Sequence, residues 1–428
     1  GSNQQRILAN HRPFEDSVPT MNENYPVVSR VNTTRSLDGS TSLLAYDENK
    51  PLIPVFELVS RGDTPFPDVD AERVPATFDK FIVRPGITNL NGKIHIFGGS
   101  NKMYYRLPEP SEYTHYIFDA VTNEQTVGAP LIDNVSAPSV WTHNGKIFCS
   151  GGVIEFGTAY NSTHTYAQNI NVWTQNENGD GSWSTLSDTA NYMLGQKAME
   201  YIDPIDNTPY VLLIGADKSL NVTGSQRYYF YADMNTFDGT LTKSALSPGD
   251  VNTCDAGIAD YRDTVYLVSG TQSANYISNS VMYQMLPWRV GEALRPYNLS
   301  TQETEMPSST RAKSFVWRDT LFTISSGSRD ANQNLIYVYQ WVPNEQRMSR
   351  IRVNLPAGVT CGLNAELTFT HIENRVWLLI SKYQAYMAMS TDLVVFDLVD
   401  PQDATLESIN EIGQSVLSFS PPFIAVGG

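Results

Sequence analysis

The chain has 428 residues, 41% of them hydrophobic and only 17% charged, with a formal net charge of −16 at pH 7. An acidic surface of this kind disfavours nucleic acid and anionic lipid, because both need a basic footprint. No apolar run reaches the roughly 18 residues that a membrane-crossing helix requires.

Gly1-Ser2 reads as an expression scar, and residues 1–38 read as that scar followed by a polar arm. Residues 39–428 read as a single domain, because one repeat occupies nearly all of them. The segment Ser42–Val59 looks like the third and fourth strands of a repeat unit whose first half is missing. The repeat itself then recurs about seven times, as a short polar turn and an apolar strand closing on glycine or serine. In chain order these are Asn91–Gly99, Asn144–Gly152, Asn207–Gly215, Arg262–Gly270, Arg318–Gly327, Glu373–Ser381 and Phe423–Gly428. Strand ends are separated by roughly 46 to 64 residues, near the span of a four-stranded propeller blade.

Between these copies lie β-branched and aromatic runs that read as further strands. They include Tyr113–Asp119, Gln168–Trp173, Gln226–Tyr231, Ser280–Met285, Leu335–Gln340 and Asp392–Asp397. Turn residues follow them, as in Asn176-Glu177-Asn178-Gly179 and Pro401-Gln402-Asp403.

The pairs Gly98-Gly99, Gly151-Gly152 and Gly427-Gly428, with Trp183 after a turn, make the chain resemble the Kelch-repeat propellers, in the superfamily of galactose oxidase. The other copies keep one glycine, or serine, and are degenerate. The resemblance implies an all-β, seven-bladed propeller in which strands from both termini share a blade, with a six-bladed ring as the alternative. Such closure removes the exposed sheet edges that invite aggregation. It also directs the search for function to the loops and the central channel.

Enzyme chemistry finds little support in the residues. The six histidines, His11, His95, His115, His143, His164 and His371, form no cluster in sequence, and none directly follows a tyrosine as a copper-radical oxidase would require. His143 and His371 read as surface residues in turns. The run Asn178–Trp183 only superficially resembles a sialidase Asp-box and reads as a hairpin turn. No nucleotide loop, zinc pair or nucleophile elbow is present. The expectation is therefore a non-catalytic binding propeller without cofactor or metal. The alternative is a secreted oxidase or glycan-processing enzyme with a drifted signature.

By repeat register, Arg84, Lys197, Asp255, Arg311, Lys313 and Glu366 fall on the first strands or the loops feeding them, at one mouth of the channel. Their surplus of positive charge suits an acidic peptide or anionic glycan. Tyr104, Tyr105, Arg106, Tyr160 and Tyr276 lie in loops after the second strands and suit a protein interface. The expected partner is a protein or peptide, or a glycan. Sparse charge and abundant hydroxyl and amide residues point to an extracellular or cell-surface setting, with a cytoplasmic scaffold as the alternative. Five sequons occur, at Asn32, Asn134, Asn161, Asn221 and Asn298, about as many as chance provides. Three cysteines make no disulfide framework. Cys149 reads as a buried small hydrophobe, and Cys254 and Cys361 as two thiols at matching repeat positions.

Overall fold

The computed structural model describes residues 30–35, 40–46, 53–59 and 63–403, apart from 80, 102–113, 134, 156–164, 177–179, 188–192, 218–226, 247–254, 263, 271–281, 286–289, 293–295, 300–310, 326–333, 363–364 and 385–386. The chain divides into two compact units. One comprises residues 1–66, 342–345 and 400–428. Its described part holds a three-stranded antiparallel sheet of Arg30–Arg35, Ser40–Tyr46 and Ile53–Val59.

The other unit, residues 67–341 and 346–399, is a six-bladed β-propeller. The first blade runs Gly86–Leu90, Lys93–Phe97, His115–Asp119, Gln125–Val127 from the axis outward, and the second Ser139–His143, Lys146–Ser150, Asn169–Gln175, Gly181–Ser187. The third is Met193–Ile202, Pro209–Asp217, Arg227–Asp233, Thr242–Leu246, and the fourth Gly257–Asp260, Val265–Val268, Met282–Met285, Pro296–Asn298. The fifth comprises Lys313–Trp317, Thr320–Ile324, Leu335–Val342 and Arg347–Asn354, with Val69–Asp70 added in parallel at its edge. The sixth has Ala365–Ile372, Arg375–Gln384 and Met387–Asp397.

The sixth blade takes its outer strand from the other end of the chain. Glu72–Arg73 pairs antiparallel with Val394 and Val395, and Arg73 Nη2 meets Asp392 Oδ1 at 2.8 Å. This corrects the expectation of seven blades. The segment Ser42–Val59 does not complete a blade, because its partner is the strand Arg30–Arg35. The closing strand is instead two charged residues long, too short and too polar to show in a hydrophobic pattern. Phe423–Gly428, expected to supply the other half of a seventh blade, lies outside the described residues.

The repeat's period-2 pattern explains the packing. Each second strand is buried on both faces, so alternate side chains serve the blade before and the blade after. Ile94 and Ile96 pack with Trp377, Leu379 and Leu393 of the sixth blade, while Phe97 packs with Ile147, Trp173 and Trp183 of the second. Equivalent clusters join the second blade to the third, the third to the fourth, and the fourth to the fifth.

The hairpins between first and second strands follow from their turn residues. Asn91-Gly92 has φ of 50° and 74°, and Asn144-Gly145 has 45° and 70°, the left-handed pair of a tight β-hairpin turn. The glycine pair ending the second strand has a different cause. A Cβ on Gly98 would sit 2.5 Å from the carbonyl oxygen of Val135 in the next blade's approach loop. The adjacent Gly99 N–H donates to that oxygen at 2.8 Å. In the fourth blade Ser269-Gly270 keeps the same left-handed pair, with φ of 61° and 91°. The repeat therefore persists in backbone where its sequence has degenerated.

Candidate functional site at the channel mouth

The backbone builds the site before any side chain enters it. In four of the six blades the residue two places before the inner strand is described, and it sits in the left-handed region. Arg84, Ala137, Asp255 and Arg311 occupy this place with φ of 56°, 55°, 54° and 63°. Two of their carbonyls stitch neighbouring blades together. Ala137 N donates to Arg84 O at 2.7 Å, and Ala312 N donates to Asp255 O at 2.8 Å. Non-glycine residues are uncommon at positive φ. Their recurrence on one rim shows how the loops aim their side chains across the axis.

A cavity of about 110 Å³ opens there, lined by residues from all six inner strands and from four of their approach loops. The structure brings Arg84, Lys197, Asp255, Arg311, Lys313 and Glu366 together in its wall. The side chains are ordered by charge. Glu366, 4% exposed, is placed beside two guanidiniums: its Oε1 contacts Arg311 Nη1 and lies 3.5 Å from Arg84 Nη2. Lys197 Nζ meets Asp255 Oδ1 at 3.2 Å. Lys313 Nζ donates to the carbonyl of Phe369 at 2.7 Å and lies 5.0 Å from the centroid of that ring. Burial first, and the Lys197 ammonium second, pull the Lys313 ammonium down to about 8.

The sequence reading missed Ser139 as a member of this wall. Ser139 opens the second blade's inner strand, where its Oγ is buried without a hydrogen-bond partner among the described residues. The repeat carried a usable signal. Opposite the residue just before the glycine or serine that ends the second strand of the first five blades, the register places Gly86 (Phe97), Ser139 (Ser150), Lys197 (Ile214), Gly257 (Val268) and Lys313 (Ile324), and in the sixth blade the same place holds Leu367 (Ile380), beside Glu366. A polar residue at that place faces the mouth.

The tyrosine-rich loops are a different matter. Tyr104, Tyr105, Arg106, Tyr160 and Tyr276 lie outside the described residues, as do Cys254, Asn134, Asn161 and Asn221. Asn32 and Asn298 lie in the strands Arg30–Arg35 and Pro296–Asn298. Cys149 is buried, and burial pushes its thiol upward. His371 is not a turn residue. It lies in an inner strand with its ring 4.4 Å from that of Phe315, and burial pulls it down to about 4.

A second polar cluster lies between the first two blades. His95 Nδ1 and His115 Nε2 are 2.9 Å apart, both rings buried among Phe97, Trp173 and Trp183. Trp183, in the outer strand of the second blade, donates through Nε1 to Ala129 O at 3.1 Å and lies 3.3 Å from His115 Nδ1. Burial holds His95 down at about 4 and His115 at about 3.

Fold and rim together define a six-bladed propeller with a charge-lined axial cavity. A solved structure described as that of YjhT is similar to this chain, with a TM-score of 0.50 and 12% sequence identity, covering 76% of this chain and 99% of that one. At that identity the likeness concerns the fold. No protein-family model matches the chain, and no curated protein matches it.

Proposed function

We propose that this propeller is a binding module whose channel mouth takes an anionic group, carried by a small ligand or by an acidic segment of a protein, peptide or glycan. One observation carries the reading. Four cations and two carboxylates line a single cavity in a chain of net charge −16. A locally positive, partly water-excluded cleft in an acidic protein concentrates field lines and draws anions against the global charge. Asp255 and Glu366 hold the cations in place and set the orientation a ligand must adopt.

In this reading the module binds and does not turn over its ligand. The paired glycines and Trp183 favour kinship with Kelch propellers, and the sparse charge of the surface favours an extracellular or cell-surface setting. Replacing both Arg311 and Lys313 with alanine tests the central claim. Binding of an acidic peptide or a sulfated glycan should weaken at least tenfold and lose much of its salt sensitivity. Unchanged affinity in a folded double variant would move the interaction away from the channel.

A further inference from the structure

The carboxylates of the channel mouth are unequally shared. Glu366 serves Arg84 and Arg311, and Asp255 serves Lys197. Lys313 has no carboxylate partner among the described residues. Its ammonium is held by the Phe369 carbonyl and by the face of that ring. A cation left unpaired in a confined place, with a second ammonium nearby, favours its neutral form. This is the environment that activates a lysine as a nucleophile. Burial and Lys197 accordingly bring it down to about 8, which makes the free amine more accessible near neutral pH than in an ordinary lysine.

We propose that Lys313 captures the carbonyl group of a small oxo carboxylate as an imine, while Arg84, Arg311 and Lys197 hold its carboxylate. The proposal rests on the anion-binding reading and deepens it. The lone pair of Nζ adds to the carbonyl carbon as the C–O π pair moves to oxygen. The two amine hydrogens then leave with that oxygen as water, and a C=N bond remains. Nothing is oxidised or reduced, and water reverses the step. The cavity of about 110 Å³ has room for several waters at roughly 10–15 Å³ each, or for an anion of a few heavy atoms.

The test uses the full chain with pyruvate as probe and borohydride to trap the imine, followed by peptide mapping. Lys313 should gain the mass of pyruvic acid less one oxygen atom, ahead of every other lysine, and excess lactate should suppress the gain. Lactate has the carboxylate without the carbonyl, so it should also raise the melting temperature, and a Lys313→Arg variant should retain that rise. Labelling spread over surface lysines, with Lys313 unmodified, overturns the imine. If lactate still stabilises the protein in that case, the anion seat stands alone. If neither compound stabilises and Lys313 stays unmodified, both readings fall. Should the arginine variant fail to fold, the map of the unaltered chain decides the imine by itself.

Discussion

The channel mouth and the interface between the first two blades both enclose polar side chains, and they meet the cost of doing so differently. At the mouth, charge is kept and balanced: Glu366 sits between two arginines, and Asp255 beside Lys197. Between the blades, charge is refused: His95 and His115 stay neutral inside an aromatic cage and satisfy each other with a single N–H. Burying an unpaired ion costs far more than burying a hydrogen-bonded neutral group. The cage therefore suits a permanent packing element. The mouth, which retains its charges next to open volume, suits exchange with an outside anion.

Acid should break the contrast first, and with the largest effect. The unfolded chain protonates its histidines near 6.5, whereas folded His95 and His115 resist until about 4 and about 3. Between those values the unfolded state binds more protons, so stability falls as pH falls. The pair contributes up to about 2.7 kcal/mol per pH unit, and His371, held at about 4 on the inner strand of the sixth blade, adds up to about 1.4 more. Urea unfolding at pH 7, 6 and 5 measures the slope. A His115→Gln variant should lose about a third of this histidine slope, and a slope equal to that of the unaltered chain would remove the neutral pair from the account.

Trp183→Ala attacks the same cage through packing. The ring is 8% exposed and closes the cluster over Phe97, Trp173 and His115. Its removal should cost about 3–5 kcal/mol. At about 2–4 °C per kcal/mol for a body of this size, calorimetry should show a drop on the order of 10 °C, with ligand binding at the mouth retained in the folded fraction. A drop of only a degree or two would mean that the cage is not a packing element.

What the sequence disclosed about these two regions follows from how each is encoded. The mouth was legible because a repeat fixes register. Once Gly98-Gly99 and its counterparts mark the strand ends, Arg84, Lys197 and Arg311 fall on the rim by counting. The cage was not legible, because His95 and His115 lie on separate strands and only the antiparallel pairing Phe97↔His115 brings them close. Blade number failed for a related reason. Ring closure depends on Glu72–Arg73, which pairs through backbone groups any residue carries, while the conspicuous apolar segment Ser42–Val59 belongs to another sheet.

Glu366→Gln sharpens the contrast from the side of the mouth. The amide still accepts a hydrogen bond, yet Arg84 and Arg311 lose their shared counter-charge. Both guanidiniums are largely buried, 9% and 13% exposed. Taking a shared counter-charge from two such groups should cost about 3 kcal/mol. An added anion should recover much of it, because a ligand carboxylate takes the vacated place. Thermal unfolding with and without lactate measures both effects. Destabilisation that no anion relieves would make Glu366 a structural brace only.

Lys313→Met should have the smallest effect on stability and the largest on chemistry. Methionine keeps the length and the contact with the Phe369 ring while removing a cation that burial and Lys197 already disfavour. Replacing a poorly paired buried charge with an apolar side chain of similar size is often neutral or stabilising. The change in unfolding free energy should therefore stay within about 1 kcal/mol of zero, read from urea titration. Imine trapping at this position should vanish. A loss near 3 kcal/mol would instead show that the Lys313–Phe369 hydrogen bond braces the fifth blade against the sixth. The ammonium would then belong with the cage as a packing element, and the mouth would bind through its arginines alone.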